Sequence, residues 1–151
     1  MGCSVHSQHA RAESAPTRRR LGPLADRAGR EADDRGHGVS AREAYLRPVT
    51  NYYHACLAIP VDDPAYRAGV EHYRSLFQRF AALSTPPIEV ISIPYQDTSL
   101  PAYLLRPDVG GEAHPTVIIG DNTSEELYYW VGPPGVERGY NVLLPTSRAW
   151  A

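Results

Sequence analysis

"TVIIGDNTSEELYYW", residues 116–130, carries the reading of the fold. Thr116 to Ile119 form a short β-branched and apolar run without polar alternation, the pattern of a strand buried on both faces. Gly120, Asp121 and Asn122 are turn residues, and Thr123 followed by Glu126 has the spacing of a capping box that opens a helix. "YNVLL", 140–144, reads as a second buried strand. Strand, capped helix and strand make a βαβ unit, which implies a parallel pair and an α/β fold class. "GPPG" at 132–135 is expected to break the helix, because Pro133 and Pro134 each lack an N–H and crowd the preceding turn.

Upstream, the period is that of strands. "IEVISI" (88–93) and "LPAYLL" (100–105) flank the polar "PYQDTS", which predicts two antiparallel strands around a turn, and "RPDVGGEAHP" (106–115) is a loop. Before Ser84 the period is helical. "SARE" at 40–43 has capping-box form, with Ser40 as cap and Glu43 reaching back, and Tyr45, Val49, Tyr52, Cys56 and Ile59 share one stripe. Pro48 predicts a kink there. A second helix is expected from Asp63 as cap and Pro64 as first residue, with Tyr66, Val70, Tyr73, Phe77 and Phe80 on its stripe. The two stripes predict an antiparallel helical hairpin whose aromatics are core.

These patterns divide the chain into an arm at 1–38, disordered or weakly helical, with order beginning near Ser40; a helical hairpin at 39–86; a partial α/β core at 87–144; and a divergent tail at 145–151. The arm holds 7 Arg and 5 acidic residues, while the rest holds 8 Arg and 12 acidic residues. The net charge of −2 provides no field for nucleic acid or an anionic membrane, and "TRRR" at 17–20 has neither a basic face nor stacking aromatics around it. Every basic residue is Arg, which reads as coding bias.

The two cysteines, Cys3 and Cys56, are too few for a disulfide framework or a zinc site, so a reducing cytoplasm fits. Cys56 reads as a buried structural thiol, and His54 and His72 as surface or interface residues. The chain has neither an 18-residue apolar run nor a signal-peptide pattern, and His6 stands where a myristoylation start needs Ser or Thr.

The order of helical hairpin, antiparallel strands and "PTVIIGDNTSEELYYWVGPPGVERGYNVLL" resembles the serine α/β-hydrolase superfamily over residues 38–144. The members it is most similar to carry a helical segment before the sheet: 2,6-dihydroxypseudooxynicotine hydrolase, the fermentation/respiration switch proteins, and dipeptidyl aminopeptidase or acylaminoacyl peptidase relatives. "SAREAYLR" with "NYY", Glu125 and Glu126 before Leu127 and Tyr128, and "ERGYNVLL" are the most specific pieces.

The resemblance implies that the turn Gly120, Asp121, Asn122, Thr123 supplies one backbone N–H to an oxyanion hole. The same residues also read simply as a turn and helix cap. It implies a small-molecule ester, amide or ketone substrate for the full-length relative, and no metal or organic cofactor. The family's G-x-S-x-G elbow is absent; "GCSVH" and "GVSAR" neither end in Gly nor follow a strand. Because serine, acid and histidine all follow the strand matching "YNVLL", the chain is expected to be an N-terminal fragment, truncated before the nucleophile and inactive as given. Its cut sheet is then expected to self-associate, as a homodimer or otherwise. The reading of another class is a stand-alone binding or regulatory module built on the helical hairpin.

Overall fold

In the computed structural model, the structure describes residue 24, residues 26–120 and residues 123–146. They form two compact units divided between Phe77 and Gln78. The first holds α1 (residues 26–34), α2 (Gly38–Cys56) and most of α3 (Pro64–Ala82). The second holds the end of α3, then β1 (Glu89–Tyr95), β2 (Thr98–Leu105), β3 (Thr116–Ile118), α4 (Ser124–Glu137) and β4 (Asn141–Pro145).

Helical order begins before Ser40. In α1 the Arg27 guanidinium meets Glu31 at 2.7 Å and Arg30 pairs with Asp26, both one turn apart, each such pair stabilising a helix by about 0.2–0.5 kcal/mol. Gly29 adds a packing reason: a Cβ there would run into the Tyr45 ring, so only glycine lets α1 lie this close to α2. Gly36, at φ +73°, then reverses the chain with its N–H on the Asp33 carbonyl. This early reversal starts α2 at Gly38, with His37 in the cap position and no side-chain cap bond, so Ser40 lies inside the first turn and the expected "SARE" cap does not form. The helix runs on through Pro48, which is buried.

The Asp63 cap forms, with Oδ1 accepting from the Ala65 N–H at 2.8 Å, and α3 opens at Pro64. Tyr66, Val70, Tyr73, Phe77 and Phe80 are all buried, as are Tyr45, Val49 and Cys56 on α2. Tyr53 meets Tyr73 edge-on at 6.4 Å, Tyr52 meets His72 at 4.6 Å, and Cys56 Sγ lies against Gly69. Later positions on α2 thus meet earlier ones on α3, the contact pattern of an antiparallel pair.

In the second unit four strands pair in the order β1-β2-β4-β3. β1 and β2 are antiparallel down to Tyr95 opposite Thr98, so the turn shrinks to Gln96 and Asp97, with Gln96 at φ +52°. β2 and β4 are antiparallel, and β3 and β4 are parallel as the βαβ reading requires. The fold class is α/β.

Two expectations fail here. α4 continues unbroken through Pro133 and Pro134. The prolines sit between Gly132, where a Cβ would meet Leu105 Cδ2 at 3.0 Å, and Gly135, where it would meet Val142 Cγ2 at 2.5 Å. Close seating of this turn on β2 and β4 offsets the two lost donors, so packing overrides local propensity. Thr116–Ile118, expected as a buried strand, is exposed, Val117 at 36% and Ile118 at 66%. Among the described residues β3 is one edge of the sheet, and α4 seats over Leu105 and Val142 on the inner strands instead.

Candidate functional site

The turn that leaves β3 enters α4 at the carboxyl ends of the parallel pair, the place where α/β sheets build their sites. Of its four candidate residues, Asp121 and Asn122 lie outside the described residues. Gly120 is exposed, and a Cβ there would touch Pro145 Cγ at 3.5 Å, an ordinary contact. Thr123 is buried in the extended N-cap position of α4, and its carbonyl accepts the Leu127 N–H at 3.3 Å.

The second capping box does not form either, since the Thr123 side chain makes no cap bond. The first turn of α4 is tied to the sheet instead. Ser124 Oγ lies 2.5 Å from Thr146 Oγ1, both residues buried. Glu125, also buried, accepts a hydrogen bond at Oε1 from the Tyr103 hydroxyl of β2 at 2.8 Å. A carboxylate at a helix N-terminus is favoured by the aligned peptide dipoles, and burial makes its loss costly. Two polar ties therefore hold the far side of the turn to β2 and to Thr146, which continues the sheet past β4 with its N–H on the Pro101 carbonyl at 2.9 Å.

Sequence reading singled out Thr123 and Glu126 but not Tyr103, Ser124 or Thr146. The signal was present in part: a tyrosine among the aliphatics of "LPAYLL" must find a partner for its hydroxyl if buried. Glu125 figured only in a family likeness, yet it is the inward-facing member of the acidic pair. What this arrangement offers is a helix start whose first turn is fixed to the sheet by buried polar ties.

Other candidate chemistry is less organised. Cys56 is a buried thiol whose ionisation burial pushes up, the opposite of an activated nucleophile, and the His54 ring is taken by the Thr50 carbonyl at 2.7 Å. Ser124, the serine nearest the turn, is fully buried and spent on Thr146. Among the described residues, Asp108, Glu112 and His114 bring possible metal-ligand atoms within 4.8 Å of one another. The Asp108 oxygens are already engaged, Oδ2 with His114 Nε2 at 2.6 Å and Oδ1 with the Gly110 N–H at 2.8 Å, so the group reads as a clasp within the β2–β3 loop. No helix among the described residues is long and apolar enough to cross a membrane.

No family model matches the sequence. Curated proteins do. The α/β hydrolase pydG of Acremonium sp is 33% identical over 127 residues, 79% of this chain and 30% of that protein. The α/β hydrolase xenA of Xenoacremonium sinensis is 34% identical over 131 residues, again 79% of this chain and 30% of the relative. Hydrolase ORFZ of Pyricularia oryzae is 35% identical over 127 residues. The crystal structure of 2,6-dihydroxy-pseudo-oxynicotine hydrolase aligns with a TM-score of 0.71 at 23% identity, covering 84% of this chain and 36% of that one.

Proposed function

Because the chain belongs to the α/β-hydrolase superfamily and spans about 30% of the length of the curated relatives it matches, we propose that it is the N-terminal part of a serine α/β-hydrolase acting on an ester, amide or activated C–C bond. In this reading residues 87–144 are the first part of the catalytic sheet, residues 39–86 are a cap-like helical hairpin, and residues 145–151 diverge. The turn Gly120–Thr123 contributes one backbone N–H to the oxyanion hole. The observation that carries the reading is the β3–turn–α4–β4 unit, a parallel pair with Gly120 leaving the first strand and buried polar ties fixing the helix start.

A donor fixed before the reaction stabilises the charge that develops on a tetrahedral intermediate, worth about 3–4 kcal/mol per donor. The nucleophile, its base and the orienting acid are not supplied by this sequence, which has no G-x-S-x-G, so residues 1–151 alone form no acyl-enzyme. The proposed substrate of the full-length protein is a small-molecule ester, amide or ketone. Neither cofactor nor metal, nucleic acid nor membrane, enters the mechanism. A reducing cytoplasm is the proposed location, supported by the two-cysteine composition.

The test is a chimera in which residues 39–146 replace the matching segment of the pydG hydrolase. A folded chimera that hydrolyses an activated ester supports the reading. A folded chimera without activity, beside an active parent, contradicts it.

A further inference from the structure

The simplest way to fix a helix start is available to α4 and is not used. Thr123 stands at its N-cap and Glu126 three residues on, yet the Thr123 side chain makes no cap bond, and Glu126 Oε2 is buried without a hydrogen-bond partner among the described residues. Two buried ties hold the helix start instead, Ser124 Oγ to Thr146 Oγ1 at 2.5 Å and the Tyr103 hydroxyl to Glu125 Oε1 at 2.8 Å, each spanning 22 positions of sequence. Glu125 is 1% exposed, and taking a carboxylate out of water costs more than an exposed cap would. A cap alone would make the helix; the two buried ties set where it begins.

The anchors are arranged for placement. Tyr103 pairs with Leu144 across the β2–β4 ladder, and Thr146 lies two residues beyond Leu144. By the two-residue period of a strand, both anchors therefore leave the same face of the sheet, one repeat apart. Ser124 and Glu125 are adjacent on the helix and point about 100° apart around its axis. A single tie would let the helix start pivot about it, whereas two in these directions fix both its position and its rotation. The strand on the other side of the turn gives little hold, since β3 is three residues long and exposed.

Resting on the reading of Gly120–Thr123 as an oxyanion turn, we propose that Glu125 and Tyr103 are positioning residues for the hydrolase reaction, fixing the start of α4 so that the turn's N–H is aimed before the substrate binds. A donor stabilises a developing oxyanion only if it is in place when the charge appears, and a displacement on the order of 1 Å costs about 100-fold in rate. Both side chains act through the backbone of the turn and not on the reacting atoms. The hydrogen bond between them carries the effect, so any side chain at position 125 that keeps an oxygen to accept from Tyr103 preserves it in large part.

The test is the kinetics of the pydG chimera carrying residues 39–146, assayed on an activated ester well below its melting temperature. Tyr103→Phe should lower kcat about 10- to 100-fold with KM changed less than about twofold, the mark of an interaction made only in the transition state. Glu125→Ala should do the same, and Glu125→Gln should recover most of the rate. A lower melting temperature with kcat unchanged would mean a purely structural tie and would overturn the proposal. An inactive chimera with the unaltered segment counts against the hydrolase reading and not against the tie. In that case, or if a variant chimera fails to fold, amide exchange in the 151-residue protein decides. Tyr103→Phe should speed exchange of the Leu127 N–H, bonded to the Thr123 carbonyl, about tenfold or more, while the Ile119 N–H, bonded to the Leu143 carbonyl, keeps its rate. An unchanged rate at Leu127 would overturn the proposal.

Discussion

The Tyr103 hydroxyl donates to Glu125 Oε1 across 2.8 Å, joining the middle of β2 to the first turn of α4 from 22 positions away in sequence. Both side chains are buried, so the bond forms where water cannot replace it. Its position, in the first turn of α4, makes it one of two buried polar ties between that helix start and the sheet, beside Ser124–Thr146.

Removing the donor should be expensive for its size. Tyr103→Phe leaves the buried carboxylate short of this bond and should cost about 1–3 kcal/mol, read as a lower urea midpoint at unchanged slope. Combined with Glu125→Gln, the double variant should lose less than the sum of the singles. Strict additivity would mean the two residues do not interact energetically.

Phe77 is fully buried on the stripe of α3. Phe77→Ala should cost roughly 3–5 kcal/mol. An unchanged unfolding midpoint would contradict the packing described for the helices.

Gly135 reverses a usual rule. In an open helix Gly→Ala stabilises by about 1 kcal/mol, but here the new Cβ would meet Val142 Cγ2 at 2.5 Å, and separating α4 from β4 should cost about 1–3 kcal/mol. Gly139, at φ +80° with open space around it, should also resist alanine, through backbone strain alone. A stabilised Gly135→Ala protein would show that α4 does not seat on β4 in this way.

The Asp108–His114 clasp gives a pH signature. The hydrogen bond from His114, with help from the Gly110 N–H, holds the Asp108 carboxyl below its usual range. A carboxyl lowered in the folded state contributes stability above its unfolded pKa and loses it as pH falls through the folded value. Asp108→Asn should therefore melt below wild type at neutral pH, and the gap should close in acid. A gap that persists undiminished in acid would mean that the charge on Asp108 is not what stabilises the loop.

Much of the architecture was legible because local and global preferences agree. The Tyr66–Phe80 stripe, the Asp63–Pro64 helix start and the parallel pairing of "TVII" with "YNVLL" follow from periodicity and turn chemistry alone. What failed, failed where long-range packing outweighs local signal. Pro133 and Pro134 forecast a break, but Gly132 and Gly135 seat that turn on the sheet. Ser40 and Thr123 both have capping-box spacing, yet one follows a reversal at Gly36 that starts the helix earlier, and the other precedes a turn anchored by Glu125 and Ser124. The exposure of β3 could not be read from its apolar composition, because an edge strand and a central one share the same pattern. The polar cluster of the site was hidden for a related reason: Tyr103, Glu125, Ser124 and Thr146 are brought together only by the sheet register.

The proposed role, an oxyanion turn supplied without the nucleophile, is tested most directly by fluorophosphonate labelling of the purified protein alongside an activated-ester assay. The chain has ten serines, and the one beside the turn, Ser124, is fully buried. No serine should label above the level of denatured protein, and ester turnover should match buffer. Stoichiometric labelling of a single serine, abolished by denaturation, would contradict the claim.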